Sequence, residues 1–91
     1  MDNIENKEQL REGILHELAK IPARALSAEE LLRRIRDSGC VDTEVSHADI
    51  RDALAFLDGY GFILSVPRMM SGLLDWRIST QGILYVESRN G

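Results

Sequence analysis

The sequence predicts an α+β domain in which three helices are followed by a β-hairpin and a short terminal helix. Two observations predict it. Two helix starts share one signature, a serine with an acidic residue three positions on and apolar residues at either side, at Ser27–Glu30 and Ser46–Asp49. After the third helix the apolar pattern changes from a period near 3.6 to a period of 2, the mark of a passage from helix to strand.

The first helix is expected over Lys7–Lys20. Leu10, Ile14, Leu18 and Ile21 recur at helical spacing with Leu15 beside them, and Pro22 ends the run. Gly13 weakens this helix. Ala25 and Leu26 form a short extended link. Ser27 caps a second helix over Ala28–Ser38, Leu26 and Leu31 occupy the positions of a hydrophobic staple, and Leu31, Leu32 and Ile35 give the buried face. Gly39 is its left-handed stop, and Cys40–Val45 is a loop. The third helix, His47–Asp58, is capped by Ser46, stapled by Val45 and Ile50, and buries Ile50, Ala53, Leu54 and Leu57. Gly59 and Gly61 terminate it.

Phe62, Leu64 and Val66 then alternate with Ile63 and Ser65 up to Pro67. Ser71 and Gly72 are turn formers in a long tip, and Asp75–Ile78 resumes the alternation as the returning strand. Trp76 is assigned to the core between hairpin and third helix. Thr80 is expected to cap a final helix through about Ser88, with Gly82 letting it lie close to its neighbours.

Composition bounds what the chain does. Ninety-one residues, 44% hydrophobic and 29% charged, suit one soluble domain over residues 1–91 with its core in about 7–88. No apolar run approaches the roughly 20 residues that cross a bilayer. The N-terminus is polar and carries no secretory signal, so the default location is the cytoplasm. Cys40 is the only cysteine, and with only His16 and His47 it builds neither an internal disulfide nor a zinc site. The chain shows no catalytic constellation and no phosphate-cradling glycine motif, so neither an enzyme nor a cofactor is expected. The net charge of −4 directs attention to where the cations lie, because nucleic-acid affinity comes largely from Lys and Arg on phosphates.

Three stretches carry a family resemblance. "LSAEELLRRIRDSG" looks like the second helix, "VSHADIRDALAFLDGYGFI" like the third helix and the turn into the wing, and "DWRISTQGILYV" like the last wing strand and terminal helix, of the winged helix-turn-helix superfamily. The likeness runs from Leu10 to Val86. Counted from Ser79, rather than Thr80, the entry to the terminal helix fits the family's Thr-x-x-Gly-like spacing. The short length and the "WRISTQG" ending also resemble small prophage-encoded members. The connection Gly39–Val45 is longer than the turn of a plain helix-turn-helix. The resemblance implies a fold of three helices and a wing. It implies two functional readings: a small DNA-binding transcriptional regulator, or a module that docks on a protein without touching DNA.

The third helix would enter the major groove of duplex DNA. His47 and Arg51 are its candidate contacts, set against Asp49, Asp52 and Asp58, a local balance of −2 between Ser46 and Asp58. On the wing, Arg68 near the tip and Arg77 on the returning strand are candidates for phosphate or minor groove. Arg33, Arg34 and Arg36 form the densest basic cluster. Glu29 and Glu30 lie four residues before Arg33 and Arg34, and i,i+4 ion pairs account for them without a ligand; the alternative is a phosphate contact, since this helix crosses the DNA backbone in related folds. Met69, Met70, Leu73 and Leu74 make the hairpin tip apolar, which predicts either a tip folded back on the domain or a protein contact. Ile83, Leu84, Tyr85 and Val86 span most of the circumference of a helix. One core does not bury them all, so a homodimer through this segment, Ile83 and Leu84 in particular, is expected.

Overall fold

A computed structural model describes residues 4–39 and 44–90. Among the described residues the order is α1 (Ile4–Ala19), β1 (Leu26–Ser27), α2 (Ala28–Ser38), α3 (His47–Gly59), β2 (Ile63–Pro67), β3 (Leu74–Ile78) and α4 (Thr80–Asn90). No helix is long and apolar enough to cross a membrane. Cys40 lies outside the described residues.

Both serine caps form as the sequence requires. Ser27 Oγ accepts from the Glu30 N–H at 3.1 Å while Glu30 Oε1 accepts from the Ser27 N–H at 3.4 Å. At α3 the same exchange joins Ser46 and Asp49, at 3.2 and 3.0 Å. Each box satisfies donors that the first helical turn would otherwise leave without partners. The staple residues Leu26, Leu31, Val45 and Ile50 are all buried. They join one core with Leu10, Ile14, Leu15 and Leu18 of α1, Leu54 and Leu57 of α3, Ile63 and Ile78 of the hairpin, and Val86 of α4.

The sheet has three antiparallel strands in the order β1-β3-β2, so the link at Leu26 is a strand as well as a staple. Leu26 pairs with Trp76 and Ser27 with Asp75. In the hairpin, Ile63 faces Ile78, Ser65 faces Trp76 and Pro67 faces Leu74. The Ser79 N–H donates to the Phe62 carbonyl and the Arg68 N–H to the Leu73 carbonyl, both at 2.9 Å. Hydrogen-bonded and non-bonded pairs alternate along an antiparallel ladder. Ile63, Ser65 and Pro67 therefore turn their backbone groups away from β3, to the free edge. Pro67, which lacks an N–H, sits where β3 asks for none.

The fourth helix starts differently from the expectation. Ser79, not Thr80, is the cap: its hydroxyl accepts from the Gly82 N–H at 3.1 Å and donates to the Gly61 carbonyl at 2.5 Å. One side chain thus ties the α3–β2 turn to the start of α4. Gly82 is needed for this approach. A Cβ there would run into the Phe62 carbonyl oxygen and stand 2.7 Å from Ile78 Cγ1.

Candidate nucleic-acid interface

The α2–α3 connection fixes how α3 is presented. Arg36 Nη2 donates to the Val45 carbonyl at 2.9 Å, pinning the end of the loop to α2 immediately before the Ser46 cap. Between α2 and the start of α3 runs a shallow groove lined by Glu29, Leu32, Arg33, Arg36, Asp37 and His47. His47 and Arg51 are both exposed and four residues apart, so they share a face of α3. Arg33 shares the groove with His47, where Glu29 and Asp37 stand beside them. Among the described residues, Arg33 and Arg51 make no ion pair.

The basic cluster is explained differently from the i,i+4 scheme. Glu30 is held in the Ser27 capping box, so it is not the partner of Arg34. Arg34 Nη1 instead reaches Glu17 of α1 at 3.8 Å, and Lys20 Nζ binds the same buried carboxylate at 2.9 Å. No ion pair joins Glu29 to Arg33 among the described residues.

Asp49 also reads differently once its geometry is known. Its carboxylate bonds the Ser46 N–H and lies in the first turn of α3, where the helix dipole offsets negative charge. Asp58 stands a residue short of the far end. The N-terminal half of α3 thus presents His47, Ala48 and Arg51 with one carboxylate engaged in the cap and a second, Asp52, exposed beside Arg51.

The wing cations are not gathered at this groove. Arg68 Nη2 and Nε both donate to Asp75 Oδ1, at 2.8 and 2.9 Å. The hydrogen bond to Asp75, opposed by slight burial, holds the Arg68 guanidinium above its ordinary pKa. Arg77 pairs with Leu64 in register, on the sheet face opposite to the buried Ile63 and Ile78.

The two apolar stretches singled out in the sequence fall in separate places, and Leu64 and Val66 of β2 are exposed as well. At the wing tip Met69 and Met70 are each 98% exposed, Leu73 57% and Leu74 42%. The tip projects into solvent rather than folding back. On α4 the four apolar residues divide: Val86 is buried, Ile83 and Tyr85 are half-buried against the core, and Leu84 is 58% exposed. Around Leu84 the helix surface carries Gln81, Glu87 and Ser88, all exposed. Residues 75–78 of β3 lead the chain from Leu74 towards α4, about 13 Å at ~3.3 Å per residue.

A chain of aromatic rings runs along the other flank of α3. Phe56, Tyr60, Phe62 and Tyr85 follow one another with centroid separations of 4.7, 6.0 and 5.1 Å. The Arg11 guanidinium lies over the Phe56 ring, 3.5 Å from its centroid. Tyr85 donates its hydroxyl to Glu12 Oε2 at 3.0 Å, and Arg89 binds the same oxygen at 3.1 Å. Burial, then the bond to Glu12, raise the Tyr85 hydroxyl above the usual phenol range. Residue spacing alone does not reveal this assembly, because its members come from α1, α3, the turn after α3, and α4.

No family model and no curated protein matches the chain. Solved structures do. A transcriptional regulator from Clostridium thermocellum, Cth-833, superposes with a TM-score of 0.78 at 19% identity, covering 99% of this chain and 84% of that one. ZitR from Lactococcus lactis, a double mutant in apo form, superposes with a TM-score of 0.70 at 17% identity over 94% of this chain. The chain spans 58% of that ZitR chain. The element order, the three-stranded sheet and the near-complete superposition together give this chain the winged-helix fold.

Proposed function

We propose that the chain is a transcriptional regulator that binds duplex DNA through the α2–α3 edge, with Arg51 and His47 in the major groove and Arg33 on the backbone. One observation carries the reading: Arg33 and His47 line one groove, together with Glu29 and Asp37, and Arg51 follows His47 one turn along α3, the helix with which this fold reads DNA. The similarity to the Cth-833 regulator over nearly the whole chain supports it. Arg77 remains a candidate phosphate contact from the sheet. Arg68 contributes less, since Asp75 already neutralises it.

A second reading rests on the wing tip. Met69, Met70, Leu73 and Leu74 form the most exposed apolar surface among the described residues, and methionine suits adaptable protein contacts. In this reading the fold docks on a protein, a second copy included, and the helix edge stays in solvent. Leu84 adds little to a dimer surface, because single exposed leucines among polar neighbours are ordinary.

Amide NMR of the chain titrated with a generic duplex at about 50 mM salt separates the two readings. DNA binding through α3 moves the resonances of Arg33, His47 and Arg51. Unchanged spectra, or shifts confined to residues 68–74, would overturn the DNA reading.

A further inference from the structure

Among the described residues, a cavity, aromatic faces and charge also converge away from the helix edge. A pocket of about 190 Å3 opens between α1, α3 and α4. Its floor is Leu15 and Leu57, both almost fully buried, and its walls are the rings of Phe56, Phe62 and Tyr85. Glu8, Glu12 and Arg11 form the rim.

We propose that this pocket binds a compact guanidinium or amidinium compound whose planar cation takes the place of Arg11 on the Phe56 ring. Three features fix the class of ligand. The Phe56 face already holds a guanidinium at stacking distance, so it accepts a flat, delocalised cation. The rim carries two carboxylates. Glu12 is held in place by Tyr85 and Arg89, whereas Glu8 makes no ion pair or side-chain hydrogen bond among the described residues and is exposed. A planar N–H fork suits the free Glu8 carboxylate, whereas an anionic ligand brings those oxygens no donor. The volume suits one ring, since an apolar cavity of about 150 Å3 holds benzene. The apolar part of the ligand then covers Leu15 and Leu57 while its cationic head stays at the mouth.

Arg11 is in this account an internal competitor. Its side chain leaves Phe56 for solvent when the ligand enters. Phe56 lies on α3, so an occupant bears on the helix that carries Arg51. That consequence rests on the DNA reading; the binding itself does not, and it is tested without DNA.

The probe is benzamidinium chloride, titrated into the full chain and followed by amide NMR, with benzamide and benzoate as neutral and anionic isosteres. Saturating shifts at Phe56, Phe62 and Tyr85 are expected with benzamidinium and not with benzoate. Arg11→Ala removes the competitor and is expected to tighten binding about two- to fivefold, the size of one exposed cation–π contact. Glu8→Gln is expected to weaken it. Benzamide binding as tightly as benzamidinium, or Arg11→Ala binding no tighter than the parent, overturns the proposal. Both Arg11 and Glu8 lie on the rim, so these variants test the site without disturbing its floor.

Discussion

Ser79 shows how much one side chain holds. Its hydroxyl closes the start of α4 and reaches back to the Gly61 carbonyl, and it is only 8% exposed. Removing it leaves a helix-start N–H and a carbonyl without their partner in a place that water reaches poorly. Ser79→Ala is expected to cost about 1–2 kcal/mol, read as a lower urea midpoint with an unchanged slope. Thr80→Ala, on the first helical residue, is expected to change stability by no more than ~0.5 kcal/mol. Equal losses in the two variants would contradict the assignment of the cap. The sequence points to Thr80 because both residues are cap formers. Only the ladder register, which places Ser79 beside Phe62 and Gly61, decides between them.

At the scale of elements, what was legible in the sequence was local. The boxes at Ser27–Glu30 and Ser46–Asp49 involve residues three apart, and they set α2 and α3 to the residue at their starts. The pairing of β1 with β3 was not legible, because two residues carry no period and their partner lies some 50 positions on. The partners of the arginines were hidden for the same reason: Arg34 looks to α1 and Arg68 to the neighbouring strand. On α4 the arithmetic of four successive apolar residues held in part. One of them, Leu84, is left in solvent, while Ile83 and Tyr85 find cover from the core. Leu84→Glu is therefore expected to leave stability within about 0.5 kcal/mol of the parent, whereas a surface leucine that organises a dimer would show its loss. Sedimentation at tens of micromolar checks this: an oligomer in the parent that Leu84→Glu dissolves would restore α4 as an interface, and an oligomer lost only on Met69→Ser with Met70→Ser would place it at the wing.

For the whole molecule the governing fact is an acidic chain with an uneven distribution of cations. A net charge of −4 is repelled by a polyanion at long range, so DNA binding would depend on cations gathered locally and clear of the carboxylates. Capping places the Asp49 carboxylate on the Ser46 backbone, Arg36 holds the Val45 carbonyl, and Arg33, His47 and Arg51 are exposed, with Glu29, Asp37 and Asp52 exposed among them. The central claim is that the α2–α3 edge contacts DNA phosphates and bases. The most direct test is the affinity for a generic duplex as a function of salt, for the parent and for the Arg33→Ala, Arg51→Ala double variant. The account predicts binding at about 50 mM salt that weakens linearly on a log–log plot, with the slope reduced by about one unit for each phosphate that the variant no longer neutralises. No binding at low salt, or a double variant with the parent's affinity and slope, would contradict it.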